Sequence, residues 1–458
     1  MSLLHGGNSQ PEKQQGKGPT ISSPRIISRS EHSVSRANIS DNALKVLHRL
    51  NSAGYEAYLV GGGVRDMLLG REPKDFDIAT NALPEQVRDV FRNCRLVGRR
   101  FRLAHILFGR ETIEVATFRR AQVSDDENGE GGMEIEEGGR ILRDNVYGTL
   151  EDDAWRRDFT INALYYNVQD FSVIDYTGGM EDVAAGVLRV IGDPSQRYRE
   201  DPVRMLRAVR FAAKIGFRID AASENFIYDN GNLLDDIPAA RLFDEVLKLF
   251  MSGHAVQTFE LLRHYYLFEF LFPLADDSLG EEEGGFPHQL VLRALANTDA
   301  RIAAGKPVTP AFLYAALLWE STRIAMRPLL EQGMEEMPAL HQAANDVIEE
   351  QLRYTSLPRR FSAPMVEIWA MQFRLDNRSG RRAFRLLEHP RFRAAYDFLL
   401  LRAEAGEVEQ ELADWWTEFQ IADEPRRIFM VRELAPTGEN GAGRSRRKRG
   451  PRRKKSAE

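Results

Sequence analysis

Three consecutive glycines, Gly61, Gly62 and Gly63, stand between the apolar run Ala57–Val60 and the segment Val-Arg-Asp-Met-Leu-Leu. Only glycine allows so abrupt a change of backbone direction without strain, so this stretch commits the chain to a strand, a tight turn and a helix in that order. A helix reached through glycine backbone favours negative charge at its start and lets a phosphate approach the main chain. The turn is not a Walker loop, because no Gly-Lys-Ser/Thr follows it. Downstream, Asp75-Phe-Asp-Ile-Ala reads as a second strand. Side chains alternate along a strand, so Asp75 and Asp77 face one side while Phe76 and Ile78 face the core. Paired hard oxygen ligands suit Mg2+, which keeps several waters and bridges substrate phosphates, and two such ions are expected. Glu114, out of phase with Ile113 and Val115, offers a third carboxylate from another strand.

The remainder of the chain divides by pattern. Ser40 is placed to cap a helix whose Ala43, Leu44, Val46, Leu47 and Leu50 recur at helical spacing, with Gly54 as the stop. A helix opens at Pro84, and Ala104–Phe108 and Thr112–Phe118 read as strands. Residues 121–142 are glycine-rich and acidic, the composition of a surface loop. From Pro202 onward the strand pattern fades, and Val203, Leu206, Val209 and Ala213 begin a series of amphipathic helices. The expected fold is therefore a small mixed α/β head followed by all-α domains, with disordered termini. The expected boundaries are a leader at 1–38, the head at 39–180, a helical neck at 181–245, a helical body at 246–434 and a basic tail at 435–458.

A chain of 458 residues with 43% hydrophobic side chains can bury more than one core. No stretch is apolar for long enough to span a bilayer, and the leader has no signal core. Cys94 is the only cysteine, which excludes internal disulfides and fits a reducing, cytoplasmic setting. No histidine stands at zinc spacing from a cysteine or a second histidine. The net charge of −6 conceals an asymmetry: from Pro436 onward nine Lys or Arg face two Glu, a balance of +7 that leaves −13 for the rest. That basic tail, including Arg446, Arg447, Lys448 and Arg449, suits the gripping of a polyanion without regard to its sequence.

Taken together, Gly-Gly-x-Val-Arg-Asp and the downstream Asp-x-Asp resemble the class II branch of the polymerase-β nucleotidyltransferase superfamily, which holds the CCA-adding enzymes and the bacterial poly(A) polymerases. Arg156-Arg-Asp-Phe-Thr-Ile-Asn-Ala-Leu resembles the ribose-recognition motif of that branch, and Arg199-Glu-Asp-Pro-Val-Arg-Met-Leu-Arg resembles its nucleobase-recognition helix. The resemblance implies metal-binding catalytic roles for Asp75 and Asp77, a place in the active site for Asp158, and a head, neck and body arrangement in which the helical body at 246–434 binds RNA. It implies nucleotide contacts from Gly61, Gly62, Arg65, Asp66, Arg157, Asp201, Arg204 and Arg207, with Glu200 fixing Arg204. On the residues alone, Asp158 serves equally as a salt-bridge partner for Arg156 or Arg157. With Pro202 in the first turn of a helix, Asp201, Arg204 and Arg207 are expected to share one face.

Leu96-Val-Gly-Arg-Arg-Phe-Arg-Leu-Ala-His resembles a signature of the poly(A) polymerases within this branch, as does His389-Pro-Arg-Phe-Arg with Trp415-Trp416 after it. The first supplies Arg99, Arg100 and Arg102 as RNA contacts. The implied activity is template-independent addition of AMP from ATP to RNA 3′ ends, in mRNA processing and RNA decay. ATP and RNA are the expected partners, with no DNA, no integral membrane segment, a monomeric chain and RNA-decay proteins as further partners. A CCA-adding tRNA nucleotidyltransferase is the alternative enzyme, and an inert RNA-binding relative the alternative of another class.

Overall fold

The glycine turn sits where the pattern puts it, joining β2 (Ala57–Val60) to a short helix that begins at Gly62. The computed structural model describes residues 23–98, 102–120, 146–280 and 289–434, and the backbone of four two-residue strands besides. The chain divides into two compact units, Met1–Ile237 with Glu260–Leu267, and Pro238–Phe259 with Phe268–Glu458.

The first unit is built on an eight-stranded mixed sheet. Its strands are β1 (Arg25–Ile27), β2, β3 (Asp77–Thr80), β4 (Cys94–Val97), β5 (Leu103–Phe108), β6 (Glu111–Thr117), β9 (Leu164–Tyr166) and β10 (Val173–Asp175). Between β6 and β9, β7 (Ile135–Glu136) and β8 (Arg140–Ile141) form a separate two-stranded antiparallel pair, where the composition gave only a loop. The order across the large sheet is β1-β10-β9-β2-β3-β6-β5-β4. All neighbours run antiparallel except β3 and β6, which are parallel. The helices of the unit include α1 (Asp41–Ser52), α2 (Gly62–Leu68), α3 (Pro84–Val90), α4 (Leu150–Trp155), α5 (Gly179–Ala185), α6 (Pro194–Glu200) and α7 (Val203–Ile215).

Alternation along the strands gives the sheet two apolar faces. Leu59, Ile78, Ile106, Ile113 and Val115 pack with Ala43, Val46, Leu47 and Leu50 of α1. Val60, Ala79 and Tyr165, each one residue out of phase with that set, pack with Leu150 and Ala154 of α4. Ser40 caps α1 through its Oγ, which accepts from the Ala43 amide at 3.1 Å, and Gly54 follows the helix with φ of +88°.

The leader expectation needs correction at its inner end. Arg25–Ile27 is an edge strand, antiparallel to β10, and Ile27 is buried in the core. Two successive isoleucines supply the β propensity, and burial of one supplies the stabilisation that the polar composition around them hid.

The second unit is helical. Trp369 donates from Nε1 to the Ala315 carbonyl at 3.0 Å, and Trp416 donates to the Leu375 carbonyl at 2.9 Å. Both indoles are fully buried, with their single polar atom satisfied. Among the described residues, no helix is long and apolar enough to cross a membrane.

Candidate active site

β3 begins at Asp77, so Asp75 lies just outside the strand rather than on it. The alternation continues through it all the same: Asp75 and Asp77 are exposed, Phe76 is half-buried and Ile78 is buried. The parallel register of β3 and β6 sets Asp77 beside Glu114, and β5 sets His105 opposite Glu114. Because Ile78, Ile113 and Val115 face α1, Asp77 and Glu114 face the opposite side, with His105 Nε2 3.4 Å from Glu114 Oε1. Asp75, Asp77 and Glu114 line a cavity of about 660 Å3 together with Lys74 and Arg110. Sequence reasoning missed those two cations. Lys74 is signalled only by its place next to Asp75, and Arg110 only by the Gly109 turn before it.

Asp77 is open to solvent at the cavity mouth yet crowded by protein on its other sides. Burial, then repulsion from Glu114 and more weakly from Asp75, pushes its carboxyl up to about 6, against the opposing charge of Arg157. Arg157 is close: a Cβ at Gly61 would stand 3.8 Å from both Arg157 Nη1 and Asp77 Oδ2. Gly61 itself has φ of 76° and ψ of −137°, a conformation open to glycine alone. The turn and Arg157 therefore both approach Asp77, which lines the cavity.

The other predicted nucleotide contacts divide between inward and outward roles. Arg65 is 1% exposed, donates to Asp66 Oδ1 at 2.6 and 2.9 Å and to Asn162 Oδ1 at 2.7 Å, and so braces the turn from below. Gly62 remains half-exposed above it. Arg156 and Arg157 are not held by Asp158. Both are held by Asp153, a residue that sequence reasoning passed over. Asp153 is 1% exposed and also accepts from the Tyr165 hydroxyl at 2.8 Å. Burial pushes its carboxyl up, but Arg157, Arg156 and Tyr165 outweigh that and hold it below the usual carboxylate range. Its position at i−3 and i−4 from the two arginines was the available signal.

Asp158 faces the other way, toward α7. Its Oδ1 accepts from Arg204 Nε at 2.9 Å and its Oδ2 meets Arg207 Nη1 at 2.7 Å. Arg204 and Arg207 thus share a face, as their spacing requires, but Asp201 does not lie on their helix. α6 ends at Glu200, Asp201 is extended with φ of −150°, and Pro202 caps α7 instead of occupying its first turn. Proline cannot donate an amide to a preceding turn and disfavours a helical residue before it, which keeps Asp201 off the helix whose face it was expected to share. Glu200 does fix Arg204, with Oε2 accepting from Nη1 at 3.2 Å. Arg197 ties the same corner to α4 by donating to the carbonyls of Arg156 and Arg157 at 3.0 and 2.8 Å.

Arg102 is half-exposed and paired with Glu85. Arg99 and Arg100 lie outside the described residues, as do Arg446, Arg447, Lys448 and Arg449.

A mixed sheet that pairs carboxylates on neighbouring strands beside a glycine turn, followed by helical domains, is the fold of a nucleotidyltransferase. It matches the Bacillus stearothermophilus CCA-adding enzyme in complex with CTP at a TM-score of 0.55 and 25% identity, over 87% of this chain and 88% of that one. Residues 57–189 match the family model for the poly A polymerase head domain, residues 216–279 that for the "probable RNA and SrmB- binding site of polymerase A", and residues 332–454 that for the polymerase A arginine-rich C-terminus. The chain belongs to the bacterial poly(A) polymerase family. It is 51% identical to Poly(A) polymerase I of Salmonella typhi over 93% of both chains, and 48% identical to that of Haemophilus influenzae over 89% of this chain and 90% of the other. The CCA-adding enzyme of Lactobacillus helveticus is more distant in extent, 37% identical over 48% of this chain and 52% of its own. The protein is accordingly a polynucleotide adenylyltransferase that extends RNA 3′ ends without a template.

Proposed function

We propose that Asp75 and Asp77 hold magnesium, with Glu114 in support, and that their cavity receives the ATP triphosphate beside the RNA 3′-hydroxyl. The observation that carries this reading is the in-register pair Asp77 and Glu114, opening with Asp75 on one cavity, with the Gly61 turn close to the Asp77 carboxylate. Magnesium takes one or two carboxylates and fills its octahedron with water and substrate phosphate, so the two aspartates suffice as its protein ligands. Two bound ions would supply charge neutralisation on the triphosphate and a more acidic 3′-hydroxyl.

The chain's own residues position the reactants. The half-exposed backbone at Gly62, next to the buried Gly61, admits the triphosphate, and Arg157 adds positive charge beside Asp77. Asp201 and Arg204 read the adenine edge, with Glu200 and Asp158 fixing the guanidinium of Arg204 and Arg207 holding Asp158 in turn. Asp158 is on this reading a positioning residue, since both its oxygens are engaged by α7. The 3′-oxygen attacks the α-phosphorus in line, the bond to pyrophosphate breaks, and no covalent enzyme intermediate forms. A lone cysteine suits a reducing compartment, and we assign the enzyme to the cytoplasm and to mRNA polyadenylation and decay.

The test is incorporation by the full chain with Mg2+ and an unstructured RNA primer, comparing ATP alone with CTP alone. Long tails from ATP and little from CTP are expected. A few residues added only when CTP and a tRNA acceptor are present would overturn the adenine-specific reading.

A further inference from the structure

Several arginines around the distal helices of the second unit are already paired. Arg378 meets Glu411 at 2.7 Å, Arg391 meets Glu367 at 3.0 Å, Arg393 meets Asp397 at 2.9 Å and Arg402 meets Glu407 at 3.0 Å. Arg374, Arg382 and Arg385 are different. All three are exposed, and no ion pair or side-chain hydrogen bond among the described residues engages them. They line one cavity with His389, and no carboxylate lines it. Arg374 closes the helix Arg359–Leu375, while Arg382 and Arg385 stand three apart on the helix Arg381–Leu387. At that spacing helices ordinarily set opposite charges. Three like charges around one cavity, in a chain of net charge −6, form an arrangement that a bound anion relieves.

His389 leads directly into a second cavity, of about 390 Å3, lined by the next two residues, Pro390 and Arg391. Its floor is apolar, with Phe312, Leu313, Phe361 and Ile368. On its rim the Arg360 guanidinium lies 4.8 Å from the Phe361 ring centroid. The helix Arg359–Leu375 contributes to both cavities, and Arg360 and Arg374 are separated by roughly 20 Å along its axis. Phosphate-binding cations next to an aromatic-floored pocket are the two elements by which proteins hold single-stranded nucleic acid without reading its sequence.

We propose that these cavities form a track for single-stranded RNA upstream of the growing 3′ end, an inference that rests on RNA being the substrate. Backbone phosphates occupy the cradle of Arg374, Arg382 and Arg385, and a base enters the apolar cavity against Phe312 and Phe361. A track of this kind grips any sequence, which an enzyme acting on many RNA ends requires.

The test uses the full chain and a fluorescent oligoadenylate, with binding measured over a range of salt. The combined Arg374→Ala, Arg382→Ala, Arg385→Ala variant should bind at least about tenfold more weakly at low salt. Its slope of log affinity against log salt should be shallower by about 2, from three phosphate contacts at about 0.7 each. The corresponding triple Arg→Lys variant keeps the charges and should keep the slope. Phe361→Leu should weaken binding about fivefold while leaving the slope unchanged. With saturating primer, kcat should stay near the unaltered value in all of these. An unchanged slope and affinity in the triple alanine variant would overturn the proposal, whether or not the face then proved to bind a protein. Unaltered enzyme that binds oligoadenylate with the steep slope yet incorporates no AMP would instead overturn the active-site reading and leave the track standing.

Discussion

Asp77 and Asp153 both border Arg157, and their surroundings are opposite in kind. Asp153 is buried and saturated, holding two guanidiniums and a tyrosine hydroxyl. Asp77 faces a cavity with Glu114 and Asp75 for neighbours, and Arg157 offsets part of the repulsion. A buried charge is tolerated when its hydrogen bonds and countercharges are complete, so Asp153 belongs to the scaffold. A cluster of carboxylates that repel one another is costly to the free enzyme, and under the proposed function that cost is recovered when a cation and a nucleotide arrive. The difference between the two is therefore a difference between parts that hold the site and parts that await its substrates.

The sharpest way to break this comparison is Asp77→Asn. On the proposed assignment a magnesium-holding carboxylate is lost, and incorporation of AMP should fall by about a thousandfold or more. Thermal stability in buffer free of divalent metal should nevertheless rise at pH 7.5. The sign follows from the pKa: Asp77 is raised to about 6 in the folded chain, from an ordinary value of 3.8. Ionising it thus costs the folded state stability fully above pH 6, and not at all once both states are protonated below 3.8. The gain from asparagine should accordingly vanish as pH falls through that window. Calorimetry at pH 7.5 and pH 3.5 checks this, and a lower Tm at pH 7.5 would place Asp77 with the scaffold.

Asp153→Ala should do the reverse. It leaves Arg157 without its countercharge, and a loss of about 3–5 kcal/mol in stability is expected, measured by denaturant unfolding. A loss below about 1 kcal/mol would mean that Asp153 is not the structural member of the pair.

Glu200→Gln tests the base-reading corner, with a smaller effect. Loss of the charge that fixes Arg204 should raise KM for ATP several-fold, on the scale of about 1 kcal/mol for a partly exposed ion pair, and narrow the preference for ATP over CTP. An unchanged KM and nucleotide preference would remove Arg204 from the reading of the base.

The smallest effect is expected at Arg25, which pairs with Glu181 at 3.1 Å with both side chains well exposed. Arg25→Ala should shift stability by less than about 1 kcal/mol in urea unfolding. A larger loss would show that the edge strand β1 depends on that pair and not on Ile27.

Much of this site was legible because the chemistry is local in sequence. Gly61 needs a conformation reserved for glycine, and the alternation of Asp75, Phe76, Asp77 and Ile78 follows from a strand's period of two. The helix capped by Ser40 and the face shared by Arg204 and Arg207 follow from a period of 3.6. Other features were not legible, because they depend on which segments meet. Helical spacing offers Asp153 to Arg156 and Arg157 without choosing it over the neighbouring Asp152 and Asp158, and nothing in the sequence assigns Arg204 and Arg207 to Asp158. The edge strand Arg25–Ile27 was hidden in polar surroundings, and only pairing with β10 gave its isoleucines a core to enter.

The sequence by itself determined the strand–glycine turn–helix unit, the exposed carboxylates on one strand face and the change from mixed α/β to all-α, because periodicity and backbone freedom act over a few residues. The tertiary structure decided that Glu114 stands beside Asp77, that Lys74 and Arg110 join their cavity, and which charges are neutralised and which are left to a ligand. Register between distant strands and the burial of a charge are properties of the assembled chain, and no short stretch of residues contains them.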